Sequence, residues 1–136
     1  MNPALNFNLP AILLATLAAF GLGAVWYSPS VFGRIWMREA GFTEKTLRAK
    51  GGAARVLGGA FLLELVMGFN LSAFIGPNAT VGFGVLAGAA AGFGWVAASF
   101  GITYLFEHRT LRIFLINGGY HAIALTIMGT ILGAWR

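Results

Sequence analysis

Two ionisable side chains stand where the sequence is otherwise apolar. Glu64 interrupts "VLGGAFLLELVMGF" (56–69), and His121 follows "FLINGGY" (114–120). Each lies nine residues past an arginine that opens its apolar segment, Arg55 and Arg112 respectively. At about 1.5 Å per helical residue, both come to roughly 13 Å from that boundary, near the middle of an apolar layer about 30 Å thick. A carboxyl and an imidazole at one depth suit the binding and release of protons, or of a small cation.

Lipid-facing charge costs a few kcal/mol, so both groups are expected to face the interior of a helical assembly. Ala60, Glu64, Gly68 and Ser72 are four residues apart and form one small and polar stripe, while Asn117, His121 and nearby Tyr120 form a polar patch. Glu64 is therefore the expected proton or cation binder, with His121, Asn117 and Tyr120 lining its site. The competing reading makes Glu64 an interhelical hydrogen-bonding group, protonated or paired, with His121, Asn117 or Tyr120 as partner. Asn70, Ser99, Thr103, Thr126 and Thr130 are read as satisfying helix backbone or neighbouring helices. His108 in "FEHRT" is read as part of a short polar turn.

Soluble chemistry has no footing here. The 136 residues include no cysteine, so there is no thiolate nucleophile, disulfide or sulfur metal site. No phosphate-binding glycine loop with its lysine, no metal-spaced histidine pair and no nucleophile elbow occurs. No cofactor and no metal is implied.

The elements that must position these groups follow from composition. With 58% hydrophobic residues, 10% charged residues and a mean hydropathy of +0.79, the chain reads as an all-helical integral membrane protein of one domain, residues 1–136. Four segments reach the length needed to cross a bilayer, near 10–27, 55–75, 81–106 and 111–134. "MNPALNFNLP" carries no charged side chain, unlike the basic start of a secretory signal, so the first span is expected to persist. The net charge of +5 does not point to nucleic acid, because the basic residues flank the spans. Arg34, Arg38, Lys45, Arg48 and Lys50 lie between spans one and two, and Arg109 and Arg112 between three and four, whereas "GPNAT" is uncharged. The positive-inside rule then puts both termini outside and the basic loops in the cytoplasm, with Arg136 the one basic residue on the other side.

Pro10 suits the first turn of span one, and Pro29 ends it. Trp26 and Tyr27 are expected at the cytoplasmic headgroup level. In the loop 28–54, Val31, Phe32, Ile35 and Trp36 share a helix face and Arg34 and Arg38 lie off it, the pattern of an interfacial helix. Thr43 is the expected N-cap of a second short helix, with Phe42 and Leu47 at staple positions and Gly51 as its stop. Trp26, Tyr27, Arg34, Trp36, Arg38 and Arg48 are thus the candidate lipid contacts, the arginines toward anionic headgroups.

Small residues four apart, Ala11, Ala15, Ala19 and Gly23, then Gly84, Gly88 and Gly92, then Gly129 and Gly133, predict close helix packing. "AFGLGAVWYS" can also be laid on "AAGFGWVAAS", with Arg55 opposite Arg112, which suggests a weak parallel two-helix repeat.

"WYSPSVFGRIW" (Trp26, Tyr27, Ser28, Pro29, Phe32, Gly33, Trp36), "NGGY" (Asn117 to Tyr120) and "GTILGAW" (Gly129 to Trp135) together resemble the bacterial membrane family called domain of unknown function 1761. The resemblance spans nearly the whole chain. It implies a small four-helix protein of the bacterial inner membrane with no assigned activity, and it supplies no site residues. A chain of 14.4 kDa is small for enclosing a pathway, so a homo-oligomer, most simply a twofold dimer, is expected. Proton-coupled or small-solute transport is the leading expectation. A structural or accessory role comes second, and a lipid-binding protein or membrane enzyme third.

Overall fold

A computed structural model of the chain describes residues 6–135; Arg136 lies outside them. Four long helices are each apolar enough to cross a membrane: α1 (Leu9–Trp26), α4 (Ala53–Ile75), the continuous run Val81–Phe106, and α7 (Leu111–Ala134). Two short helices, α2 (Gly33–Ala40) and α3 (Glu44–Lys50), fill the connection between the first two. The run Val81–Phe106 consists of α5 (Val81–Ala91), a π-helical turn over Gly92–Ala97, and α6 (Ala98–Phe106).

The ends of these helices follow local chemistry. Asn8 caps α1 by accepting from the Ala11 N–H at 3.2 Å, with Pro10 in the first turn. Thr80 and Thr110 cap α5 and α7 in the same way through Phe83 and Ile113. Thr43 caps α3, its hydroxyl accepting from Thr46 N–H while Thr46 Oγ1 accepts from Thr43 N–H. Gly41 ends α2 at φ +80°, a left-handed conformation that glycine adopts without steric cost.

α7 lies at the centre, with α5 on one side and α1 on another, while α4 packs mainly on α1. α5 and α7 meet backbone to backbone. A Cβ on Gly92 would stand 2.7 Å from Ala122 Cα, and one on Gly133 would stand 2.9 Å from the Thr80 carbonyl oxygen. At Gly84, Gly88 and Gly129 it would overlap the carbonyl oxygens of Gly129, Leu125 and Gly84 respectively. Two of the three predicted stripes thus press on each other. The third stripe buries Ala11, Ala15 and Ala19 in the main core, with Ile12, Leu125, Met128 and Leu132 around it. The glycines that the repeat alignment pairs lie in unlike surroundings: Gly92 is pressed on Ala122, whereas Gly21 has nothing within 4 Å.

The turn after α1 is tight. Ser28 carbonyl oxygen accepts from Gly33 N–H at 2.9 Å, and Trp26 carbonyl oxygen accepts from Phe32 N–H at 3.0 Å. Any Cβ on Gly33 would come within 2.8 Å of the Ser28 carbonyl, so glycine is required for α2 to fold back here. Asn8 Nδ2 donates to the Trp135 carbonyl at 3.2 Å, which places the start of α1 beside the end of α7. Both basic loops lie at the opposite end.

Candidate functional site

The helix faces converge on Tyr120 of α7. Its hydroxyl lies 2.7 Å from the Ala19 carbonyl oxygen of α1 and contacts Glu64 Oε1 of α4. Gly23, one turn beyond Ala19, makes room for the ring, since a Cβ there would be 3.1 Å from Tyr120 Oη. The two last members of the α1 stripe therefore seat this tyrosine. Glu64 itself is 9% exposed, and among the described residues its Oε2 has no hydrogen-bond partner.

The number of protons limits which way these bonds run. A tyrosine hydroxyl has one hydrogen, and a backbone carbonyl can only accept. If Tyr120 donates to Ala19, then the contact with Glu64 needs a hydrogen from the carboxyl. Both contacts are full hydrogen bonds at once when Glu64 carries a proton and donates it to Tyr120 Oη. An ionised Glu64 would take the tyrosine hydrogen and leave two oxygens facing each other at Ala19. The site thus holds a buried carboxyl with one oxygen on Tyr120 and, among the described residues, the other unpartnered, in an apolar interior where such an atom is costly.

A second polar cluster lies on the basic-loop side of Tyr120. Tyr27 Oη donates to Asn117 Oδ1 at 2.7 Å, and Asn117 Nδ2 donates to Tyr104 Oη at 2.8 Å. Trp26 Nε1 donates to the Ile116 carbonyl at 2.9 Å. The Tyr27 ring packs edge-on against Tyr120 at 5.5 Å, which joins the clusters through aromatic contact. Trp36 of α2 caps Tyr27 at 5.9 Å, and Phe32 lies on Trp26 at 4.8 Å.

Of the four residues expected around one site, Glu64 and Tyr120 touch. Asn117 is a neighbour through Tyr27. His121 makes no hydrogen bond to Glu64 among the described residues: its ring stacks on Phe100 of α6 at 5.2 Å and meets the Tyr120 ring edge-on at 4.8 Å. Of the expected lipid contacts, Arg34, Arg38 and Arg48 are exposed. Trp26, Tyr27 and Trp36 differ from expectation, for their side chains turn inward onto α7 and onto each other. The reversal at Ser28–Gly33 carries α2 over the end of the bundle, so the aromatic face that suits lipid packs on protein.

Tyr104, Thr16 and the Ala19 carbonyl were not foreseen. Tyr104 faces Asn117 because of the π-helical turn. Continuing the α-helical phase from Gly92 would direct residues 95, 99 and 103 at α7, but the extra residue in the turn brings round Ala97, Phe100 and Tyr104. Ser99 is left exposed and donates to the Trp95 carbonyl. Asn70, Thr126 and Thr130 likewise donate to carbonyls one turn back.

At the basic end, Glu39 of α2 accepts from Thr110 Oγ1 at 2.7 Å and pairs with Arg112 at 3.7 Å, fastening α2 to the start of α7. Hollows lie around the bundle among the described residues. One of about 330 Å³, at the end away from the basic loops, is lined by Asn8, Ser72, Gly76, Leu132 and Trp135 among others. One of about 550 Å³ runs between α4 and α5 over Leu125, and one of about 340 Å³ lies beneath α2 and α3 beside Tyr27 and Trp36.

No curated protein and no solved structure matches this chain. A family model described as "Protein of unknown function (DUF1761)" does match, over residues 10–133, a range holding all four long helices but for their outermost residues and every residue of both polar clusters. The chain is a member of that family.

Proposed function

We propose that this chain handles protons within the membrane, with Glu64 as the group that binds and releases them, in the service of proton-coupled or small-solute transport. One observation carries the reading: a carboxyl in the middle of four apolar helices is 9% exposed, has one oxygen on Tyr120 and leaves the other unpartnered among the described residues. Intramembrane carboxyls are costly, and those that persist commonly serve as relays or ion sites. Tyr120 is the group placed to take over or give up the hydrogen bond as the carboxyl changes state. The basic loops face the cytoplasm of a bacterial inner membrane on this reading, supported by the asymmetry of lysine and arginine, and their exposed arginines meet anionic headgroups. A twofold dimer would supply the wall that one small chain lacks.

The test is proton uptake and release by purified, reconstituted protein from about pH 5 to about pH 9, compared with Glu64→Gln, with thermal stability followed in parallel. The expected outcome is a titration present in the wild type and absent in Glu64→Gln at equal stability. A second reading is favoured by the way Tyr120 ties α1, α4 and α7 together: the cluster only fastens the bundle. Under that reading the two proteins titrate alike, and Glu64→Ala unfolds.

A further inference from the structure

Glu64 is separated from the hollow at the uncharged end by two turns of α4, and the residues along those turns are unusual. Ser72 lines the hollow, Gly68 follows one turn deeper, and Glu64 follows Gly68. The rise from Ser72 to Glu64 is about 12 Å. Opposite Gly68 stand Thr16 Oγ1, Ile12 Cγ2 and the Met128 methyl, at 3.2, 3.3 and 3.3 Å from where a Cβ of residue 68 would be. Thr16 is 0% exposed, and its hydroxyl donates to the Ile12 carbonyl at 2.8 Å. Its lone pairs are acceptors beside the space that Gly68 leaves bare. The atoms nearest the bare face of Gly68 are thus a threonine hydroxyl, the tip of an isoleucine and the end of a methionine, and methionine is the most readily rearranged of apolar side chains.

We infer that protons reach Glu64 from the uncharged end, through a water-accessible vestibule at Ser72 and along the α1–α4 seam past Gly68 and Thr16. The inference rests on the proposed proton-binding role of Glu64 and adds its sidedness. The other end is closed more heavily. There Tyr120, Tyr27, Trp36 and Phe42 stack in succession, and Glu39 fastens α2 over them through Thr110 and Arg112. Few titratable groups face the carboxyl. Tyr120 touches it, Tyr27 and His121 each pack edge-on against the Tyr120 ring, at 5.5 and 4.8 Å, α1 contributes no ionisable side chain, and His121 also stacks on Phe100.

The chain has no cysteine, so Ser72→Cys introduces a single thiol that a polar, membrane-impermeant reagent can block. The readout is hydrogen–deuterium exchange of the Glu64 carboxyl in reconstituted full-length protein, followed by its infrared carbonyl band and assigned by its loss in Glu64→Gln. Blocking Ser72→Cys is expected to slow that exchange on the order of tenfold, whereas blocking Met37→Cys, in the hollow beneath α2, leaves the rate unchanged. Gly68→Ala, with a methyl group narrowing the seam, slows it in the same sense without a reagent. A thiol at Ser72→Cys that never reacts, or exchange slowed by the Met37→Cys block instead, overturns the inference and leaves the Glu64 reading standing. A band that is identical in wild type and Glu64→Gln overturns both.

Discussion

Replacing Tyr120 by Phe removes one O–H and tests the proton count at the site. The ring still fits against Gly23, Trp26 and Tyr27, so the loss is confined to the hydroxyl. Glu64 then has neither oxygen held, and the Ala19 carbonyl loses its extra donor. Leaving a buried polar group unsatisfied costs about 1–3 kcal/mol, and that is the expected loss of stability for Tyr120→Phe. Glu64→Gln is expected to cost under about 1 kcal/mol, because its Nε2–H can donate to Tyr120 as the neutral carboxyl does. Were Glu64 ionised, the same change would remove a charge-assisted bond and cost about 1.5–3 kcal/mol. Removing both partners restores an apolar interface, so Tyr120→Phe with Glu64→Leu should recover most of the loss, a coupling on the order of 0.5–3 kcal/mol. Unfolding of the wild type, Tyr120→Phe, Glu64→Leu, Glu64→Gln and the double variant in one detergent, followed by loss of helical circular dichroism, measures this. If the single costs simply add, the two side chains are not coupled. If Glu64→Gln is as damaging as Tyr120→Phe, the carboxyl is not the donor.

Two further outcomes follow from the packing. Gly88→Ala sets a methyl against the Leu125 carbonyl, where only separation of α5 from α7 gives relief, and should destabilise by about 1–3 kcal/mol or more, while Gly94→Ala meets nothing within 4 Å and should be neutral or slightly stabilising; unfolding of the two variants side by side is the measurement, and equal midpoints would contradict the backbone-to-backbone contact. Asn117→Ala removes the bridge between Tyr27 and Tyr104 and is expected to cost about 1–3 kcal/mol and to loosen α2, which proteolysis at the Gly41–Thr43 turn would detect as faster cleavage.

Depth was legible in the sequence, and direction only in part. Glu64 and the Tyr120–His121 pair sit at one level because each follows a boundary arginine by the same number of helical residues, and hydropathy alone places those boundaries. The facing stripes of α5 and α7 were also legible, since glycines four apart leave a groove that only another backbone fills. Which way each polar residue points depends on phase, and phase in Val81–Phe106 is broken by the π-helical turn. No residue type announces that turn. An unbroken α-helical count directs Ser99 and Thr103 inward and leaves out Tyr104, the reverse of what the helix does. Tyr120 and His121 pose a simpler case: as chain neighbours their rings meet edge-on at 4.8 Å, but they diverge in their other partners, Tyr120 toward Glu64 and His121 toward Phe100.

Trp26 and Tyr27 show the deeper ambiguity. A tryptophan and tyrosine at the end of an apolar span have the same composition whether they reach for headgroups or for a neighbouring helix, because both settings offer an apolar bed and a polar partner. The choice is made six or seven residues later, by Gly33. Only without a side chain there can the backbone turn against the Ser28 carbonyl, bring Phe32 onto Trp26 and Trp36 onto Tyr27, and hold both side chains on Ile116 and Asn117. The "WYSPSVFGRIW" stretch is therefore one device: it ends α1, reverses the chain and closes the basic end of the bundle directly over Tyr120. That closure leaves the α1–α4 seam as the less obstructed way to the carboxyl, and it ties the sidedness of the site to a single glycine that contacts neither Glu64 nor its partners.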